Sequence, residues 1–84
     1  MSRDTTEILG DALGHFDRMR AHASHDLGDQ LVIDAVCMRL SAGIETLATV
    51  DPAVRADLFG DDWRLMWGMR NRIAHGYFEL DIKV

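Results

Sequence analysis

Hydrophobic residues recur along the first quarter of the chain with the period of an α-helix. Between residues 4 and 23 they fall at Ile8, Ala12, Leu13, Phe16, Met19 and Ala23. Such a pattern places its apolar members on one stripe of a helix. Asp4 and Glu7 have the spacing of an N-terminal capping box. We therefore predict a long amphipathic first helix over residues 4–23.

A second helical pattern begins after a short polar connection that contains a glycine. Over residues 30–49 the apolar side chains again keep helical spacing, at Ile33, Val36, Cys37, Leu40, Ile44, Leu47 and Ala48. Apolar residues cover much of the girth of this helix. We therefore predict that the second helix lies at the centre of the fold.

Residues that start and stop helices predict a short third helix. Asp51 is suited to the N-cap, Pro52 to the first helical position and Gly60 to the stop. A last helix is then predicted over residues 63–76, capped by Asp61 or Asp62 and ended by Gly76. One broad side of that helix carries Trp63, Met66, Trp67, Arg70 and Ile73.

The final eight residues, YFELDIKV, alternate apolar and polar side chains. Taken alone, this alternation indicates a strand. A single strand on a helical protein has no partner for its backbone hydrogen bonds, so we expect an extended tail or the start of a further helix. The whole pattern predicts an all-α fold, a small antiparallel helical bundle in which residues 1–84 form one domain.

The length of the chain limits its core. A domain of 84 residues, 48% of them hydrophobic, buries only about 60% of the surface that its unfolded chain exposes, so a partner subunit would help. No apolar run suits a membrane span or a signal peptide. The single cysteine, Cys37, cannot form an internal disulfide. We therefore expect a cytoplasmic protein with no membrane association.

Charge is distributed unevenly along the chain. The net charge of −5 argues against binding of nucleic acid by bulk electrostatics. Residues 63–78, however, contain three arginines and no aspartate or glutamate, so that this window carries +3 and the remainder carries −8. We expect an anionic ligand to bind there, at cations that no carboxylate accompanies.

Within that window, Arg70 and His75 are the residues with catalytic chemistry. Five positions on a helix put them about 140° apart around the axis and about 7.5 Å apart along it, so one helix does not bring them together. Two copies that meet across a two-fold axis could bring both pairs into one cleft. Histidine moves protons near neutral pH, and arginine holds a phosphate with a bidentate fork.

The window lacks the acidic ligands that two-metal phosphodiester cleavage requires. A metal-independent cleavage, in which the 2′-hydroxyl of RNA attacks the adjacent phosphate, fits the available groups better. This reaction restricts the substrate to RNA. We accordingly predict no metal and no cofactor.

Two segments, QLVIDAVCMRLSAGIETL and DDWRLMWGMRNRIAHGYFELD, resemble the HepT-like branch of the HEPN superfamily, which contains bacterial toxin ribonucleases. The family motif of an arginine, four residues, a histidine, any residue and a tyrosine is matched by Arg70, His75 and Tyr77. The resemblance implies a helical bundle whose homodimer lines a shared cleft with both motifs. It also implies that Arg70 and His75 cleave RNA without a metal.

The resemblance implies a partner as well, a minimal nucleotidyltransferase antitoxin that transfers AMP to Tyr77. The chain would then be the toxin of a type VII-like toxin–antitoxin pair. Asn71, Arg72 and Arg64 are candidates for contact with RNA or antitoxin. Family members continue into a further long helix, whereas this sequence ends at Val84. We therefore expect exposed apolar surface on the first two helices, and a homodimer or a higher homo-oligomer.

Each of these residues also has a plainer interpretation. Arg70 and Arg72 could lie on a solvated helix face, His75 could favour a helix C-terminus, and Tyr77 could be a packing residue. The chain could then be a catalytically silent helical module that binds a nucleotide, RNA or a nucleotidyltransferase, or a purely structural dimeric bundle.

Overall fold

Four helices make up the fold. The computed structural model describes residues 3–83, with side chains from residue 3 to residue 75. In chain order the helices are α1 (Thr5–Ala23), α2 (Gln30–Leu47), α3 (Pro52–Phe59) and α4 (Asp62–Lys83). The regular structure in this part of the chain is all helical, as predicted.

Aspartate side chains begin the first three helices. The Oδ1 atoms of Asp4, Asp29 and Asp51 each accept a hydrogen bond of 2.9 Å from the backbone N–H two residues later. Each bond satisfies a donor that has no partner within the helix. Gly60 ends α3 with a φ of 55°, in the left-handed region that glycine adopts without steric cost. The predicted starts of α1 and α3 and the predicted stop of α3 are thus confirmed.

The predicted end of the last helix is wrong. α4 begins at Asp62 but continues through Gly76 as far as Lys83, so the alternating tail belongs to this helix rather than to an extended segment. An interior glycine costs a helix about 1 kcal/mol, which is less than an interruption of the backbone hydrogen bonds. The described residues contain no strand, so the alternating residues have no partner with which to form a sheet.

The helices α1 and α2 pack against each other in antiparallel orientation. In the middle of both helices, His15 Nδ1 lies 3.1 Å from Arg39 Nη1. Near the N-terminus of α1, Ile8 lies beside Thr46, which is near the C-terminus of α2. The buried core between them consists of Ile8, Ala12, Ile44, Leu47 and Val50. This confirms the central position predicted for the second helix.

The helix α4 packs against α2 and α3. The five residues predicted to share one side of it, from Trp63 to Ile73, are all half-buried. The helices α1 and α2 leave apolar side chains uncovered, with Leu13 61%, Leu31 77% and Met38 69% exposed. Among the described residues, no helix is long and apolar enough to cross a membrane.

Candidate functional site

Arg70 lies on the side of α4 that faces α2, where a carboxylate holds it. Its Nε donates a hydrogen bond of 2.8 Å to Oε1 of Glu45, and its Nη2 lies 2.7 Å from the same oxygen. The Arg70 side chain is 25% exposed and that of Glu45 is 47% exposed. The ion pair therefore borders solvent, in reach of a ligand that approaches from outside.

Two neighbours on α4 add to this restraint of Arg70. Asn71 Oδ1 accepts a hydrogen bond of 3.1 Å from Nη1 of Arg70. The guanidinium carbon lies 5.0 Å from the centroid of the Trp67 ring, within the range of a cation–π contact. The guanidinium thus has a carboxylate at one edge and an amide oxygen at Nη1, and its carbon lies over an aromatic ring.

The opposite face of α4 carries the other predicted residues. Arg64, Arg72 and His75 are exposed, and their spacing of eight and three residues puts them on one side of the helix. Between the two arginines lies an open depression of about 450 Å³, to which Leu65, Gly68 and Met69 also contribute. We call this surface, formed by residues 64, 65, 68, 69, 72 and 75, the outer face of α4.

His75 has a free imidazole in the part of the protein whose side chains are described. No hydrogen bond or ion pair joins it to any side chain of residues 3–75. A single chain does not bring Arg70 and His75 together, because one points to α2 and the other to solvent. Tyr77 follows on α4. Its predicted modification by AMP concerns its side chain, which lies outside the described side chains.

A comparison with known families identifies the family of the chain. Residues 7–84, from the first turn of α1 onward, match the family described as Ribonuclease HepT-like. The chain belongs to the HepT-like ribonuclease family. No curated protein and no solved structure matches it. The resemblance inferred from the segments around α2 and α4 is thereby confirmed.

Glu45 is the residue of this HepT-like chain that the sequence pattern missed. The expectation that no carboxylate accompanies the cations is wrong, because α2 delivers Glu45 to Arg70 across a separation of 25 residues. A signal was present in the sequence. Glu45 is the only charged residue between Arg39 and Asp51, and an isolated charge in an apolar stretch indicates a partner elsewhere in the fold.

A second arginine, Arg55, extends the same cluster toward α3. Its Nη1 donates hydrogen bonds to the carbonyl oxygens of Ala48, at 2.9 Å, and Val50, at 3.2 Å. Its Cζ lies 4.6 Å from the centroid of the Trp63 ring, and Trp63 stacks on Trp67 with the centroids 5.8 Å apart.

Arg55, Trp63, Trp67 and Arg70 thus form a stacked row along α4 of the HepT-like chain. The row connects the end of α2, α3 and the candidate catalytic arginine. It gives Arg70 contacts that the backbone of the helix alone would not supply.

The remaining titratable groups of this HepT-like chain do not converge on the site. Among the described residues, no three histidine, cysteine, aspartate or glutamate side chains are arranged to hold a metal ion. Cys37 is half-buried on α2. Burial, and secondarily the negative charge of Asp34, raise the pKa of the Cys37 thiol above its ordinary value. Cys37 is accordingly a poor nucleophile at neutral pH.

Proposed function

We propose that the chain is a metal-independent RNA endonuclease that acts as the toxin of a type VII-like toxin–antitoxin pair. The observation that carries the proposal is a fixed Arg70 together with an exposed His75 that has no partner among the side chains of residues 3–75, at the family spacing, in a member of a ribonuclease family. One group can offset phosphate charge and the other can move protons.

The chemistry requires no group that this chain and RNA do not supply. His75 takes the proton from the 2′-hydroxyl, and the 2′-oxygen attacks the adjacent phosphorus. The bond from phosphorus to the 5′-oxygen breaks, which leaves a 2′,3′-cyclic phosphate, and the departing oxygen receives a proton. Arg70 offsets the charge that develops on the phosphate oxygens.

The site is completed by a second copy of the chain. Arg70 and His75 project about 140° apart on α4, so a cleft that contains both groups needs residues from two copies. Because Arg70 lies opposite the outer face of α4, that cleft forms where the copies meet along the edge of the helix between the two groups, at Asn71 and the exposed Ala74. The outer face adds apolar surface to the contact, because Leu65 and Met69 are 70% and 48% exposed. A side chain at Gly68 would also meet nothing within 4 Å. The second histidine then serves as the proton donor to the leaving oxygen.

A cleavage assay in excess EDTA tests the proposal. We expect the purified protein to cleave an RNA oligonucleotide and to leave its 2′-O-methyl analogue intact, because the analogue lacks the nucleophile. His75→Ala and Arg70→Ala are expected to lose activity. His25→Ala and Arg20→Ala, at exposed positions on or next to α1, are matched controls that retain it. No cleavage by wild type, or equal cleavage by His75→Ala, would refute the enzyme proposal.

Neutralisation by AMP transfer to Tyr77 is part of the same proposal. A phosphate ester two residues after His75 would add negative charge where the RNA phosphate enters. Co-expression with a minimal nucleotidyltransferase should add the mass of AMP to the chain, with the adduct on Tyr77 and absent from Tyr77→Phe. An unmodified wild-type chain would count against this partner.

The ion pair of Arg70 favours a second candidate function. Because Glu45 already offsets the charge of Arg70, the chain could be a catalytically silent module that binds a nucleotide, RNA or a nucleotidyltransferase. In that case RNA would bind, with a salt-dependent affinity, and would remain intact in the assay above.

A further inference from the structure

The contacts of Arg70 leave one part of its guanidinium available. An arginine has five N–H donors in a planar fork. The Nε and Nη2 atoms, which share the side edge of the fork, both contact Oε1 of Glu45. One hydrogen on Nη1 goes to Asn71. One N–H on Nη1 and one on Nη2 therefore remain, and no other side chain among residues 3–75 accepts from them.

The orientation of the available donors is set by the groups that hold the rest. Glu45 occupies the side edge with a single oxygen, and the guanidinium carbon lies over the Trp67 ring. A phosphate accepts two parallel N–H bonds from such a fork. The carboxylate therefore does not fill the place that a phosphate would take at the end of the fork.

We propose that Glu45 is a positioning residue, which fixes Arg70 so that the end of its guanidinium fork is presented to the scissile phosphate. This inference rests on the proposed ribonuclease function and assigns a role to a residue on a different helix from the motif. Glu45 acts through Arg70 and touches no substrate. Its contribution is geometric, since it holds a long side chain in one orientation before RNA arrives.

Two substitutions separate geometry from charge. Glu45→Gln keeps an oxygen that can accept from Nε and Nη2 but removes the negative charge, whereas Glu45→Ala removes both. Glu45→Ala should lower kcat on the order of 10-fold to 100-fold, the scale on which a misplaced group lowers a rate, with a smaller change in KM. Glu45→Gln should recover most of that kcat. Glu7→Gln is the matched control, because Glu7, on α1, also pairs with an arginine, Arg3.

Either of two kinetic results would overturn the inference. If Glu45→Ala cleaves RNA as fast as wild type or faster, the hold of Glu45 on Arg70 does not help catalysis, and Glu45 is not a positioning residue. If Glu45→Gln loses as much kcat as Glu45→Ala, the negative charge matters and the hydrogen-bond geometry does not.

A second readout is independent of cleavage. In ¹⁵N-labelled protein, the Nε–H signal of Arg70, assigned by its absence from Arg70→Lys, should exchange slowly with solvent in wild type and Glu45→Gln. It should exchange rapidly in Glu45→Ala. If this pattern appears but wild type cleaves no RNA, the ribonuclease function is wrong while the hold of Glu45 on Arg70 stands. If RNA is cleaved and the signal is the same in all three proteins, the inference about Glu45 alone is overturned.

Discussion

Gly43 lies on α2 against the ring of Phe16 on α1, and its replacement by alanine tests how tightly these helices pack. An alanine Cβ at this position would lie 2.4 Å from Cε1 of Phe16 and 2.6 Å from its Cζ. Carbon atoms in favourable contact are about 3.5–4.0 Å apart. The ring must therefore move by about 1 Å or more, or the helices must separate.

The expected energy has two parts of opposite sign. Overpacking of this kind costs about 1–3 kcal/mol, whereas an interior Gly→Ala exchange favours a helix by about 1 kcal/mol. Gly14→Ala on α1 is the matched control, because a Cβ there would meet nothing within 4 Å. Gly14→Ala should stabilise the protein by about 1 kcal/mol. Gly43→Ala should be less stable than Gly14→Ala by about 1–3 kcal/mol, the overpacking term alone.

Urea unfolding followed by circular dichroism measures both variants, at one protein concentration because self-association would shift the midpoint. Repeating the Gly43→Ala substitution in a Phe16→Leu variant tests whether the Phe16 ring causes the destabilisation. If the ring is the obstacle, Gly43→Ala should cost less in that background than in wild type. Equal stabilisation by Gly43→Ala and Gly14→Ala would refute the close packing of α1 on α2.

Three further predictions concern other parts of the structure. Gly68→Leu should keep or slightly raise monomer stability, since the position is open, but should weaken self-association in sedimentation velocity. Unchanged association would exclude a dimer contact at this glycine. Because its pKa is raised, the Cys37 thiol should react more slowly with a disulfide reagent near pH 8 than the same thiol in urea. Asp34→Asn should reduce this difference in rate between folded and unfolded protein. An equal rate in folded and unfolded protein would contradict the burial. Arg55→Lys should cost about 1–2 kcal/mol in urea unfolding, because lysine keeps the charge but loses the planar stack on Trp63. An unchanged midpoint would show that the stack does not contribute.

Local signals predicted the helices well. The capping aspartates, Pro52 and Gly60 act within a few residues of themselves, so the sequence alone locates α1 and α3. The spacing of Trp63 to Ile73 likewise predicts which side of α4 is covered. Gly76 led to a wrong helix end because a glycine allows a helix to end but does not require it to. Whether a helix continues past it depends on the balance of small terms over the following residues.

The site was less accessible to sequence reasoning, for a physical reason. The motif spacing identifies Arg70 and His75, but the environment of Arg70 comes from Glu45 on α2 and from the row of rings on α4. Such contacts depend on how α2 and α4 cross, which periodicity does not specify. The sequence therefore predicts the candidate catalytic residues and not the groups that contact them in the fold.

The stacked row along α4 gives the protein an optical probe of its own site. The chain contains two tryptophans, and both lie in this row, where Trp67 contacts both Trp63 and the guanidinium of Arg70. All tryptophan fluorescence therefore originates in this row, and the emission of Trp67 originates beside the candidate catalytic arginine. In Trp63→Phe, Trp67 becomes the single emitter, so that movement of Arg70 toward a phosphate can be followed in solution without any added label.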